Sequence, residues 1–96
     1  MEKQNKILEV LRSNKQYLQT NFKVNSIGLF GSYARNDFHG ESDIDILVTF
    51  SEPTFDHYMD LKFYLEDIFE QSVDIVMKKT IKERLKKTIL QETLYV

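Results

Sequence analysis

Gly31-Ser32-Tyr33-Ala34-Arg35 and, a short loop later, Ser42-Asp43-Ile44-Asp45-Ile46-Leu47-Val48 are the stretch on which the reading of this chain turns. Just before it, Ser26-Ile27-Gly28-Leu29-Phe30 reads as a strand that the Gly-Ser pair ends. Gly31 permits a close backbone approach, and the amides after it open a short helical turn whose N-terminus favours anions. Asp43 and Asp45 then interrupt a run of aliphatic residues. A strand over Asp43 to Phe50 puts Ile44, Ile46, Val48 and Phe50 on one face. Asp43, Asp45, Leu47 and Thr49 fall on the other, successive same-face residues standing about 6.6–7 Å apart along the backbone.

Working outward, the periodicity predicts a first helix over roughly Glu2 to Leu18, with Ile7, Leu8, Leu11 and Leu18 on one stripe. Asn21 to Asn25 is expected to turn the chain into the first strand, and Asn36 to Ser42, with Gly40, reads as a loop. Beyond the Ser51-Glu52-Pro53-Thr54 turn, a helix from about Asp56 to Glu70 points Tyr58, Leu61, Leu65, Ile68 and Phe69 inward. Val73-Asp74-Ile75-Val76-Met77 is a further short strand. Thr80-Ile81-Lys82-Glu83 has the form of a capping box opening a last helix, with Ile81, Leu85 and Ile89 on one face. Leu94-Tyr95-Val96 is a candidate final strand. Strands alternating with helices predict an α/β fold, a mixed β-sheet flanked by helices.

Composition narrows the function. Ninety-six residues predict one domain, 1–96. The absence of cysteine rules out disulfides and thiolate metal sites, and no apolar run reaches the roughly 18–20 residues of a membrane span. The N-terminus lacks the apolar block of a signal peptide, so a cytoplasmic location with no membrane partner is expected. A net charge of −2 argues against direct nucleic-acid binding, which relies on clustered Lys and Arg. Charge is nonetheless uneven: acidic residues concentrate from Asp37 to Asp74, while Lys78, Lys79, Lys82, Arg84, Lys86 and Lys87 form a basic stretch. Such a stretch usually is the solvated face of a helix. His39 and His57 read as surface residues, and Tyr33 either packs or flanks a ligand.

The carboxylates carry the chemistry. Asp74 has Val73 and Ile75 on the opposite face of its strand, so if that strand neighbours the one bearing Asp43 and Asp45, three carboxylates converge. Two such charges about 4 Å apart repel by about 4 kcal/mol at an effective dielectric near 20, a cost that a cation removes. Oxygen ligands alone favour Mg²⁺ or Mn²⁺, and Mg²⁺ is commonly completed by substrate phosphates. Two ions about 3.5–4 Å apart clamp the attacking and leaving oxygens of a phosphoryl or nucleotidyl transfer. The Ser32 hydroxyl can reach a phosphate oxygen, and Arg35 either reaches the same phosphates or braces the acidic cluster.

Gly31-Ser32-x-x-Arg35, Ser42-Asp43-x-Asp45-Ile46-Leu47-Val48 and Val73-Asp74-Ile75-Val76 together resemble the polymerase-β-type nucleotidyltransferase superfamily. Within it the chain is most similar to the minimal nucleotidyltransferases found beside HEPN-domain proteins in prokaryotic toxin–antitoxin pairs. The resemblance runs from about Ser26 to Val96. It implies a polymerase-β-like nucleotidyltransferase fold and transfer of a nucleoside monophosphate from a triphosphate with release of pyrophosphate. Carried over by position, it implies that Gly31 and Ser32 hold the triphosphate and that Asp43 and Asp45 ligate Mg²⁺. Asp74 would complete the second metal site and help deprotonate the acceptor; Arg35 matches the motif. Relatives acting on antibiotics or RNA carry an added substrate-binding segment, which is missing here, so the acceptor is expected to come from a partner.

The expectation is therefore Mg²⁺-dependent transfer of AMP from ATP to a hydroxyl, a Tyr, of a HEPN toxin. The chain would act as the antitoxin of a type VII-like pair and form a hetero-oligomer with its target. Two alternatives stand beside it: nucleotide transfer to a small-molecule hydroxyl, and an antitoxin that masks its toxin by binding alone.

Overall fold

The computed structural model describes residues 2–40 and 42–96. Helix α1 (Glu2–Phe22) leads into β1 (Val24–Phe30), the short α2 (Gly31–Arg35) and β2 (Ile44–Phe50). Helix α3 (Phe55–Phe69), β3 (Val73–Met77), a 3₁₀ turn (Lys78–Thr80), α4 (Glu83–Glu92) and β4 (Leu94–Tyr95) follow. The four strands form a single sheet in the order β3-β2-β1-β4. Strand β2 runs antiparallel to β1 and parallel to β3, and β4 runs antiparallel to β1, so the sheet is mixed as the sequence predicts. The parallel pair follows from α3, which carries the chain back to the start of the sheet between β2 and β3.

One face of the sheet holds the core. Ile27 and Leu29 of β1, Ile44, Ile46 and Val48 of β2, and Val73 and Ile75 of β3 alternate onto it. Ile7, Leu11 and Leu18 of α1 and Leu61 and Leu65 of α3 cover them at helical spacing. Of the remaining apolar residues of the two predicted stripes, Leu8, Tyr58 and Phe69 pack half-buried at the margin, while Ile68 is half-buried without joining that cluster. Burying each large aliphatic side chain stabilises the fold by about 1.5–3 kcal/mol, so these contacts dominate the packing.

Four local expectations need correction. Helix α1 runs on to Phe22, because Lys23 alone, at φ +59°, reverses the chain and its carbonyl accepts from the Ser51 amide at 2.8 Å. Strand β2 starts at Ile44, leaving Asp43 exposed just before it. Thr80 does not cap α4: its hydroxyl donates to the Met77 carbonyl at 2.8 Å inside the 3₁₀ turn, and Lys82 occupies the cap position without a side-chain bond. A Thr hydroxyl bonded to a preceding carbonyl is a local competitor of capping. Finally, α4 buries none of its residues; Leu85 stands exposed while Ile81 and Ile89 are half-buried. No helix among the described residues is long and apolar enough to cross a membrane.

Candidate active site

The site lies where β1 ends and β2 and β3 begin. Phe30 pairs with Asp45 across the antiparallel ladder, and Asp45 pairs with Asp74 across the parallel one. Adjacent strands are about 4.8 Å apart, so Asp45 and Asp74 are immediate neighbours on the face opposite the core. Asp43, two residues before Asp45, is close enough to act on it electrostatically.

Gly31 meets this row from the other side. It has φ +75°, a conformation that favours glycine, and a Cβ built on it would overlap the Asp45 carboxylate. Backbone and carboxylate thus approach as closely as they can, which is a reason for glycine that the motif alone does not give. Helix α2 then closes at Asn36, whose φ of +62° is the left-handed cap that Asn tolerates and whose amide returns to the Ser32 and Tyr33 carbonyls.

Asp45 carries the electrostatic signature of the site. Burial first, then the charges of Asp74 and Asp43, push its carboxyl up to about 6 from 3.8, against the opposing pull of Arg35. A half-buried carboxylate raised by two like neighbours is a setting that a hard cation relieves, and every donor in the row is oxygen, the ligand type of Mg²⁺. The donor set therefore fits such an ion. Among the described residues no three such side chains are gathered closely enough to hold a metal ion by themselves.

Arg35 is the cation whose charge pulls on Asp45. Its Nε donates to Asp37 at 3.0 Å, and one Nη donates to both oxygens of Glu92 at 3.1 and 3.3 Å. Asp37 and then Glu92 hold the guanidinium above its ordinary pKa. These contacts tie Arg35 to residues outside the aspartate row, so they display neither of the roles the sequence leaves open for it, phosphate contact or a brace on the acidic cluster.

Other singled-out residues fall away from the chemistry. Tyr33 is buried, stacks on Phe38 with ring centroids 4.3 Å apart, and accepts at its hydroxyl from the Gln71 amide at 2.9 Å. It packs. His39 is exposed in the loop, and His57 sits at the start of α3 with Nδ1 against the Glu52 carbonyl at 2.8 Å.

Three residues that sequence reading missed shape the site. Glu92 accepts from the Gly31 amide at 2.7 Å. Gln71 also donates to the Ser42 carbonyl at 2.9 Å, tying the loop before Asp43 to the start of β3. Gln4 donates to the Tyr33 and Ala34 carbonyls at 3.2 and 2.8 Å, holding the free end of α2. Each acts on backbone far away in sequence, so no local motif could have revealed it.

A family model for the nucleotidyltransferase domain matches residues 11–96. The chain belongs to the nucleotidyltransferase domain family. It is 42% identical over 91 residues to the protein adenylyltransferase MntA of Thermococcus cleftensis, covering 94% of this chain and 92% of that one. Among solved structures it is similar to one described as a minimal nucleotidyltransferase, with a TM-score of 0.73 and 32% identity over 91% of this chain and 93% of the other. It is also similar to a toxin–antitoxin complex with AMP-PNP, at TM-score 0.67 and 28% identity, covering 96% of this chain and 70% of the other. A third similar structure is a tri-AMPylated Shewanella oneidensis HEPN toxin in complex with MNT antitoxin, at TM-score 0.58 and 26% identity, covering 96% and 66%. The chain is a nucleotidyltransferase, and the fold and family expected from the motifs are those observed.

Proposed function

We propose that this nucleotidyltransferase moves AMP from ATP onto a hydroxyl, a Tyr side chain, of a HEPN-domain toxin and so silences it. The observation that carries the reading is the pairing of Asp45 with Asp74 beside Gly31 at the end of β1. It is supported by relatives described as a protein adenylyltransferase and as antitoxins bound to toxins, one with AMP-PNP and one with an AMPylated HEPN toxin.

In this reading Gly31 and Ser32 bind the triphosphate, Gly31 by allowing close approach and Ser32 through its amide and hydroxyl. Asp43 and Asp45 would hold Mg²⁺, and Asp74 would complete a second metal site. When bound, the two ions would neutralise the phosphates and the charge that develops during transfer. Asp74, exposed on β3, faces the arriving acceptor and helps take the proton of its hydroxyl. The acceptor oxygen forms a bond to the α-phosphorus as the bond to the β-phosphate oxygen breaks, and pyrophosphate leaves. Arg35 carries a positive charge beside the site and lowers the proton affinity of Asp45.

The test pairs the purified protein with a candidate HEPN-domain toxin, adding ATP and Mg²⁺ and reading intact mass. One or more adenylyl increments on the partner are expected, and none with Asp45→Asn. An unmodified partner that is nevertheless inhibited equally by wild type and Asp45→Asn would replace this reading with masking by binding alone.

A further inference from the structure

Glu92 ends α4, 61 residues from Gly31 in sequence, yet its side chain reaches the glycine turn. Its Oε2 accepts from the Gly31 amide at 2.7 Å and from Arg35 Nη1 at 3.1 Å, and its Oε1 accepts from the same Nη1 at 3.3 Å. Helix α2 lacks a cap of its own, because Phe30 stands at its cap position and has no oxygen to offer. Glu92 supplies that missing acceptor from the far end of the chain. Gly31 is consequently held between two carboxylates, Glu92 on its N–H and Asp45 against its α-carbon.

The backbone that delivers Glu92 is itself fixed. The Thr93 hydroxyl donates to the Ile89 carbonyl at 2.6 Å, its methyl lies where a Cβ on Gly28 would fall, and Leu94 pairs with Leu29. Glu92 is also mostly buried, at 17% side-chain exposure, whereas Arg35 is half exposed and has Asp37 on its other side. A carboxylate delivered from a paired segment into charge-assisted bonds sets the position of its partners.

We infer that Glu92 is a positioning residue for nucleotidyl transfer: it fixes the Gly31–Ser32 turn against Asp45 through the Gly31 amide and Arg35, without touching substrate. The inference rests on the nucleotide-binding reading of that turn. It also makes the docking of the C-terminal segment, Glu92 to Tyr95, a condition for an ordered site.

The test compares wild type, Glu92→Gln and Glu92→Ala in AMP transfer to the partner, separating kcat from KM for ATP, with the Gly31 amide followed by NMR hydrogen exchange. Glu92→Ala is expected to raise KM by about tenfold, the loss of one charge-assisted hydrogen bond, and to speed exchange at Gly31. Glu92→Gln keeps an acceptor for the amide but not the charge facing Arg35, and should recover part of both effects. A merely structural contact would lower the melting temperature with KM unchanged. Wild-type KM in a folded Glu92→Ala overturns the inference, and so does a lower KM, which would make Glu92 a competitor of the triphosphate. If Glu92→Ala does not fold, Glu92→Gln decides: unaltered KM and unaltered Gly31 exchange overturn it. Failure of wild type to use ATP would count against the functional reading instead. Gly31 exchange would then decide alone, a freely exchanging amide in wild type overturning the inference.

Discussion

Asp45 is the residue on which the energetics of the site concentrate. Its carboxyl titrates at about 6 in the folded chain and near 3.8 when exposed. Between these values the folded state holds a proton that the unfolded state lacks, so stability falls as pH rises through this window and levels off above it. Asp45 is half-buried, and solvent screening reduces the effect to about 1 kcal/mol. Asp45→Asn should therefore raise the melting temperature by a few degrees in the absence of divalent ions at pH 7.5, and abolish transfer when Mg²⁺ and ATP are supplied. Activity should fall below pH about 6 as Asp45 protonates, with the midpoint moving lower as Mg²⁺ is raised, since proton and cation compete for one carboxylate. A pH–rate profile insensitive to Mg²⁺ would contradict this. Gly31→Ala meets both a positive φ and the Asp45 carboxylate, and should lose activity and roughly 1–3 kcal/mol of stability in a denaturant titration. The aspartates and glycine were legible in the sequence because alternation and turn chemistry are local. Glu92, Gln71 and Gln4 were not, because what they do depends on backbone brought near only by the fold.

Among the elements, α1, α3 and β3 were readable because each buries one face and so carries a 3.6- or 2-residue pattern, whereas β1 and β2 read as apolar runs that also bury Phe30 and Leu47 on the face opposite the core. Helix α4 was harder: it buries no residue, so its pattern constrains little. Two threonines illustrate the difference. Thr54 caps α3, accepting from the His57 amide at 3.1 Å, whereas Thr80 spends its hydroxyl on the Met77 carbonyl within an exposed turn. Both precede an acidic residue and a helix, and only the neighbouring backbone separates a cap from a 3₁₀ turn. Thr54→Ala should cost about 1 kcal/mol, while Thr80→Ala should stay within about 0.5 kcal/mol of wild type. Thermal melting of the two variants side by side checks this, and equal losses would contradict it.

At the scale of the whole molecule, the mixed sheet follows from its connections, since the loop after α2 returns β2 beside β1 and α3 carries the chain over to a parallel β3. That arrangement leaves one face for the core and places Asp45 and Asp74 on the other, beside the buried Phe30 and Leu47. The last strand was legible as apolar residues but not as the partner of β1, where Lys15 also anchors it by donating to the Val96 carbonyl at 2.9 Å. The central claim is that the aspartate row beside Gly31 is a Mg²⁺–ATP site. Calorimetric titration of the protein with ATP, with and without Mg²⁺, tests it most directly. Uptake that requires Mg²⁺ and disappears in Asp45→Asn is the predicted result; uptake indifferent to Mg²⁺, or preserved in Asp45→Asn, would contradict the account.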